Sequence, residues 1–472
     1  MTRFALLLAL VVPAVAADAP PRPPGITAGA YAQDVTPEHF PISVNGGFAD
    51  RKATSAADKL HARCLVLDDG KTKAALCVVD SCMIPRELGD AARAAASQAT
   101  GIPAANILIS ATHTHSAPTV TGVFGSDPDE RYVKFLAGKI AAGVTAAHAK
   151  LAPAKVGWGA ADEPGHVFNR RWLTTPGFEN VNPFGDKTDK VRTNPGYGNK
   201  ALDRQAGPVD PAVSVLSVRG ADGAPRALFA AYGLHYVGDR PALSADYFGV
   251  FAERVGPLLG ATGDSFVGVL ANGTSGDVNN INFAGPAPPK REPGERSREV
   301  AEAVAKAAKA AADGATYRSD ITLSVATTEL TLKVRKPTAA EVARAEKRLE
   351  AANGRELKGP DEVYARETVL LAKYPDTVPV RLQAIRVGDL GIVAIPCEVF
   401  TQIGLDIKAK SPLRQTFVVS LANGYNGYLP TAAQHALGGY ETWRARSSYL
   451  EVGAADAITA TALELLGQVR PR

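Results

Sequence analysis

Of the eight histidines in 472 residues, two sit one residue apart: His113 and His115, in "ISATHTHSAPT", where an apolar run ends. Imidazole binds transition metals and moves protons near neutral pH. Residues two apart on a strand face the same way, so both rings are expected in one pocket. Three further apolar runs end on metal-competent residues. "YGLH" delivers His235, "AIPCEVF" delivers Glu398, and "LANGYNGYLPT" delivers Tyr425 and Tyr428. Histidine with carboxylate suits zinc. A phenol joins such a set only when the ion removes its proton, because its ordinary pKa is about 10. Each residue has a plainer alternative: a hydrogen-bonded histidine pair, a core histidine at His235, an ion-pair or helix-start carboxylate at Glu398. Their shared place at strand ends, where α/β enzymes build their sites, favours a metal centre of His113, His235, Glu398 and Tyr428.

The elements that must hold these residues are mixed. Residues 60–80 read as a hairpin around Gly70-Lys71, followed by an alanine-rich helix over 91–100 and the buried strand "NILISAT". Apolar residues at helical spacing predict a helix over 131–150. Residues 175–210, rich in Gly, Pro, Asn and Asp, read as a long surface loop. "AVSVLSVRGADGAPRALFAAYGLH" is a second hairpin, and Ser244 is placed to cap a helix over 246–259. "SFVGVLAN" is a strand entering the turn "GTSGDVNN", and a helix follows over 294–313. Residues 338–373 read as a helical pair, "VRLQAIRVGDLGIVAIPCEVF" as a hairpin, and a last helix closes the chain. Hairpins among helices argue against an all-parallel sheet. The fold class is therefore α/β of the mixed α+β kind, with mixed sheets and helices outside.

Composition narrows the function. The chain is 46% hydrophobic and 21% charged with a net charge of +4, and its basic residues form no stripe with aromatics. Nucleic acid is not an expected partner; the oligomeric state is not readable. "MTRFALLLALVVPAVAADAP" has an early cation, an apolar core and a small-residue site ending at Ala16, which reads as a signal peptide over 1–16. A proline-rich leader over 17–30 follows, then one domain over 31–472. No later run is long enough to span a membrane, so a secreted or periplasmic protein is expected. Cys64 and Cys77 fall on facing strands of the first hairpin and could meet; with Cys82 and Cys397 they form no CxxC pattern, so a thiolate metal site is not expected.

Rival motifs fail: "GTSGD" ends in Asp277 rather than glycine and is no nucleophile elbow, and no H-E-x-x-H occurs. The ordered motifs instead resemble the neutral/alkaline (non-lysosomal) ceramidases, specifically their catalytic domain. "ILISATHTHSAP" resembles that family's T-H-T-H-S-G-P, and "FNRR" its Asn-Arg-Ser segment. "YGLHYVGD" with "SADYFG", then "ANGTSGDVNN", "AIPCEVFTQIG" and "NGYNGYLPTAAQHALGGYE" resemble later family motifs in the same order. The resemblance runs from about residue 25 to the C-terminus.

The resemblance implies two packed β-sheets with helices outside, zinc dependence, and the ligand set His113, His235, Glu398 and Tyr428. The twelve-residue step from Tyr428 to Tyr440 matches the family's tyrosine pair and favours Tyr428 over Tyr425. It also implies roles for His115 in proton transfer and for Arg170 and Tyr440 in oxyanion stabilisation. A surface ion pair is the plainer alternative for Arg170. Asp277 is expected to hold a ligand histidine by its second nitrogen, or merely to cap the next helix. Two departures are visible. The family's serine in Gly-Asp-Val-Ser is Asn279 here, and the family's C-terminal β-sandwich is expected to be absent. The expected function is a zinc-dependent hydrolase of an amide or related acyl bond on a small-molecule or lipid substrate; the alternative is a non-catalytic exported binding protein.

Overall fold

The computed structural model describes residues 25–263 and 265–471. The expected signal peptide and the first residues of the leader lie outside them. The leader ends earlier than expected. Thr27–Asp34 is already a strand, with Thr27 opposite Asp68 and Ala30 opposite Leu65. Its small residues suit close packing: a side chain at Gly29 would meet the Ala147 carbonyl at 2.2 Å.

That strand lies inside an eight-stranded sheet. In spatial order the strands are Val267–Asn272, Pro225–Tyr232, Ala212–Gly220, Ala152–Asp162, Thr27–Asp34, His61–Asp68, Lys73–Val79 and Ile107–Ala111. The outermost pair at each edge is parallel and the inner pairings are antiparallel. A second sheet orders Leu323–Lys333, Thr377–Val387, Leu390–Ala394 and Gln415–Val419, its last pair parallel.

The two sheets pack face to face. Leu65, Leu67, Leu76, Leu216 and Phe229 of the large sheet share one core with Ile385, Ile392, Phe417 and Val419 of the small one. Phe229 and Phe417 stack with ring centroids 6.2 Å apart. Period-two alternation sends Ala62, Cys64 and Val66 to the opposite face, where they meet Leu136, Ile140 and Val144 of the helix Glu130–Ala149. Helices Asp246–Leu258 and Glu295–Asp313 cover another part of the large sheet. Helices Thr401–Lys410 and Ala454–Val469 cover the small one. The fold is thus mixed α/β with helices outside two packed sheets, as the sequence implies.

Several local readings hold. Helices Ala339–Ala352 and Gly359–Ala372 form the expected pair, the first opened by a capping box of Thr338 and Glu341. Cys64 and Cys77 face each other across the first hairpin as free thiols, their sulfurs 3.2 Å apart. Two readings change. The stretch 175–210 is not structureless, since Val191–Thr193 and Leu202–Gln205 flank Arg171–Thr174 in a small sheet. Strands of three or four residues are too short to leave a period in the sequence. Ser244 is not the N-cap of its helix; Ala245 holds that position, although the Ser244 hydroxyl accepts the Asp246 N–H at 3.0 Å. Among the described residues no helix is long and apolar enough to cross a membrane.

Candidate metal centre and active site

The site forms where loops leave the carboxyl ends of strands from both sheets. His113 follows Ile107–Ala111 and His235 follows Pro225–Tyr232; both leave the large sheet. Glu398 follows Leu390–Ala394 of the small sheet and pairs directly with Tyr428 in a short parallel ladder. A side chain at Gly276 would meet the Glu398 carbonyl at 2.5 Å, so this glycine lets the turn "GTSGD" pack against the ladder.

His113 and His115 do enter one region, but not by strand alternation. The strand stops at Ala111 and His113 takes a left-handed φ of 71°. That turn aims the His113 ring at His235, with Nε2 atoms 3.0 Å apart, and at Glu398, with Oε2 3.2 Å away. His235 Nε2 lies 3.8 Å from the same Oε2. All three side chains are buried.

The outer nitrogens are fixed by carbonyls. His113 Nδ1 donates to the Cys82 carbonyl at 2.7 Å, and His235 Nδ1 to the Ser275 carbonyl at 3.0 Å. A carbonyl only accepts, so in the neutral rings both Nε2 atoms carry lone pairs toward the carboxylate. Glu398 Oε2 is buried without a hydrogen-bond donor. Three acceptors converging on one point are mutually repulsive unless a proton or a metal ion lies among them. A tetrahedral zinc with bonds of about 2.0–2.1 Å has ligand–ligand edges near ~3.3 Å, which the observed separations bracket. The donor set therefore fits zinc.

Tyr428 and Arg170 complete one side. Arg170 is buried, not a surface ion pair. Its Nε donates to Glu441 at 2.9 Å, and its Nη2 donates to the Gly276 carbonyl at 2.9 Å and to the Tyr428 hydroxyl at 3.1 Å. None of these three acceptors takes Nη1. Tyr440 packs its ring edge-on to Tyr428 at 5.6 Å. Tyr425 donates to Glu398 Oε1 at 2.9 Å, so it steadies the carboxylate from the other oxygen. His115 reaches His113 Nε2 from 3.2 Å and lies flat on Tyr236 at 3.6 Å. It does not share the tight grouping of His113, His235 and Glu398.

Charge follows this packing. Burial drives the His235 and His115 rings well below the usual histidine range, helped at His235 by Arg170 and at His115 by His113. Burial acts the same way on His113, but there the Glu398 carboxylate prevails, and its pKa is pushed up to about 10. Burial, then Glu398, raises the Tyr428 and Tyr440 phenols. Glu398 thus favours positive charge at His113 alone, while His235, His115 and the two phenols are held neutral.

Two expected residues sit elsewhere. Asp277 holds no histidine. Its Oδ1 accepts the Thr401 N–H and hydroxyl, both at 2.8 Å, and its Oδ2 accepts from Asn169 at 3.0 Å. The backbone carbonyls of Cys82 and Ser275 already occupy both histidine Nδ1 atoms. Asp277 instead receives the first N–H of the helix Thr401–Lys410, which begins three residues after Glu398. Asn279 turns away, donating to Asn194 at 2.6 Å and accepting from the Ile281 N–H at 2.9 Å. Cys82, despite the lack of a CxxC pattern, brings its sulfur to 3.7 Å from His113 Nδ1, on the side of the ring away from Glu398.

Sequence reasoning missed the supports. Asn272 donates to the carbonyls of Thr112 and Leu234, both at 3.2 Å, tying the two histidine segments together. Ser275, rejected as a nucleophile, donates to Asn272 at 2.7 Å. Glu441 accepts from Arg170 and, at 2.5 Å, from Arg171. The adjacent pair Arg170-Arg171 was the one signal in the sequence, since both are buried and Glu441 is the carboxylate between them.

No protein-family model matches the sequence, and no curated protein does. Solved structures do. Neutral ceramidase from Pseudomonas aeruginosa superposes with a TM-score of 0.69 at 17% identity, covering 96% of this chain and 76% of that one. The chain has a neutral-ceramidase-like fold. A ceramidase complexed with C2 gives the same TM-score at 18% identity, covering 94% of this chain and 75% of its own. At such identities the likeness is one of fold; the reading of the site rests on its own geometry.

Proposed function

We propose that the protein is a zinc-dependent hydrolase of acyl amide bonds, acting on a ceramide-like N-acyl amide or a related acyl compound. The observation that carries this reading is the convergence of His113 Nε2, His235 Nε2 and the unpartnered Glu398 Oε2 on one buried point. Those three, with Tyr428, would hold the ion. The likeness of fold to ceramidases supports the amide as the scissile bond. The sequence of residues 1–16 supports export.

Bound zinc would supply Lewis acidity toward a carbonyl and toward water at neutral pH. The chain's own groups would do the rest. Glu441 and the Gly276 carbonyl lock the Arg170 guanidinium beside Tyr428, leaving Nη1 to meet a developing oxyanion. Tyr440 would add a phenol donor from the adjoining wall. Pre-positioned donors of this kind are worth roughly 3 kcal/mol each. His115, pinned between Tyr236 and the cluster but outside the tight grouping, would carry a proton through Nε2 and return it to the leaving amine.

Metal analysis and a hydrolysis panel test this together. One zinc per chain is expected, lost in His113→Ala and in His235→Ala, with turnover of a short-chain acyl amide by the native protein. Full zinc in both folded variants would overturn the ligand assignment. Zinc without turnover of any amide or ester would make the protein a binding protein instead.

A further inference from the structure

A cavity of about 700 Å³ adjoins His115, and none of the candidate metal ligands is among its lining residues. His115, Ser116, Tyr236, the 44–51 hairpin and residues 238–241 line it. Two of the lining residues are arginines, and among the described residues Arg51 has no carboxylate partner. Arg51 donates to two backbone carbonyls, that of Pro241 and, at 3.3 Å, that of His115 itself. Carbonyls hold its direction without cancelling its charge. Arg240, next to Pro241, leaves Nε buried without an acceptor. Its nearest carboxylate, Asp58, is 3.6 Å from Nη1 and already accepts from the Ser244 hydroxyl and the Ala245 N–H, both at 2.6 Å.

The acid in the lining is also committed. Asp239 takes the Ser297 N–H at 3.0 Å and the Ser297 hydroxyl at 2.5 Å, near the start of the helix Glu295–Asp313. Among the described residues Arg51 thus brings to the cavity wall a guanidinium without a carboxylate partner, beside Arg240, whose partner Asp58 lies 3.6 Å away, while Asp239 is tied to Ser297 rather than to either arginine. Guanidinium forks of this kind match carboxylate and phosphate oxygens. A neutral amino-alcohol leaving group, as in ceramide, offers them hydroxyl acceptors but no charge.

We infer that the substrate carries an anionic group on the amine side of its scissile bond, read by Arg51 and Arg240. This rests on the amide-hydrolase reading above, in which His115 returns a proton to the leaving amine; the amine must then lie on the side of the site that His115 lines. An N-acyl amino acid has its carboxylate there, one carbon from the nitrogen. An N-acyl aminoalkyl phosphate has its anion slightly further out. Both share the chemistry, and the experiment separates them.

The measurement is kcat/KM of the zinc-loaded native protein on three substrates with one acyl chain: an N-acylglycine, an N-acylethanolamine phosphate and the neutral N-acylethanolamine. At least one anion is expected to be preferred over the neutral amide by ten-fold or more, and the larger preference names the source. That preference is expected to collapse in Arg51→Met and Arg240→Met, and partly to survive in Arg51→Lys. Equilibrium binding of the preferred anionic substrate to His115→Ala, without turnover, is expected to weaken in parallel when either methionine change is added. Turnover of the neutral amide at an equal or greater rate overturns this inference alone. No turnover of any amide with zinc bound overturns the hydrolase reading and this inference with it.

Discussion

At the residue scale the sharpest distinction is between His113 and His115. Their rings come within 3.2 Å of each other, yet only His113 has its far nitrogen committed to a backbone carbonyl and its Nε2 beside Glu398. His115→Ala is therefore expected to keep most of its zinc while losing turnover by about 10²–10⁴-fold, the usual worth of a positioned proton carrier. Zinc loss equal to that of His113→Ala would reverse the two roles. Asn279 makes a second case. Its amide bridges to Asn194, whose N–H donates to the Arg170 carbonyl, and serine is too short to span that gap. Asn279→Ser should loosen Arg170 and free space, shifting kcat/KM from a short acyl amide toward long-chain ceramide. An unchanged ratio, with native protein already favouring ceramide, would show that position 279 does not discriminate between substrates. The metal-competent residues were legible because each ends a buried run. The supporting groups were not, since a carbonyl such as that of Cys82 has no sequence signature.

At the scale of elements, the short helical turn Tyr440–Thr442 does more than connect. Glu441 within it is fully buried and accepts from Arg170, Arg171 and, at 2.8 Å, Thr193. Burial alone would raise its pKa; the two guanidiniums overcome that and hold it below the usual carboxylate range. One carboxylate thus joins three distant segments and sets Arg170 against Tyr428. Glu441→Gln removes the charge without much change of volume and leaves two buried arginines uncompensated. Breaking such a group typically costs about 3–5 kcal/mol. Denaturant unfolding should show a loss of that order, with turnover falling further than zinc content. A loss below about 1 kcal/mol would mean that the arginines find other partners. Long periodic elements, such as Glu130–Ala149 and the helical pair, could be read from sequence within a residue or two. The strands Val191–Thr193 and Leu202–Gln205 could not, because their existence depends on Arg171–Thr174 lying between them.

At the scale of the whole molecule, the candidate ligands come from both sheets. His113 and His235 hang from the large sheet, Glu398 and Tyr428 from the region beyond the small one, and Asn272 cross-links the two histidine segments. An ion held by all four would bind the sheets together at one end of their shared core. A ligand that binds only the folded state adds about 2.7 kcal/mol at one hundred times its dissociation constant. In a chain this large, each kcal/mol moves the midpoint by no more than about 2 °C. Chelation is therefore expected to lower Tm by about 3–5 °C at a fixed scan rate, and added zinc to restore it. The same treatment should leave His235→Ala unmoved, because that variant has already lost a ligand from the large sheet. An equal shift in His235→Ala would place the stabilising ion elsewhere in the molecule. No shift in native protein that demonstrably carries zinc would mean that the unfolded chain binds the ion as tightly as the folded one, so that the ion adds nothing to the joint that Arg170 and Glu441 make beside Tyr428.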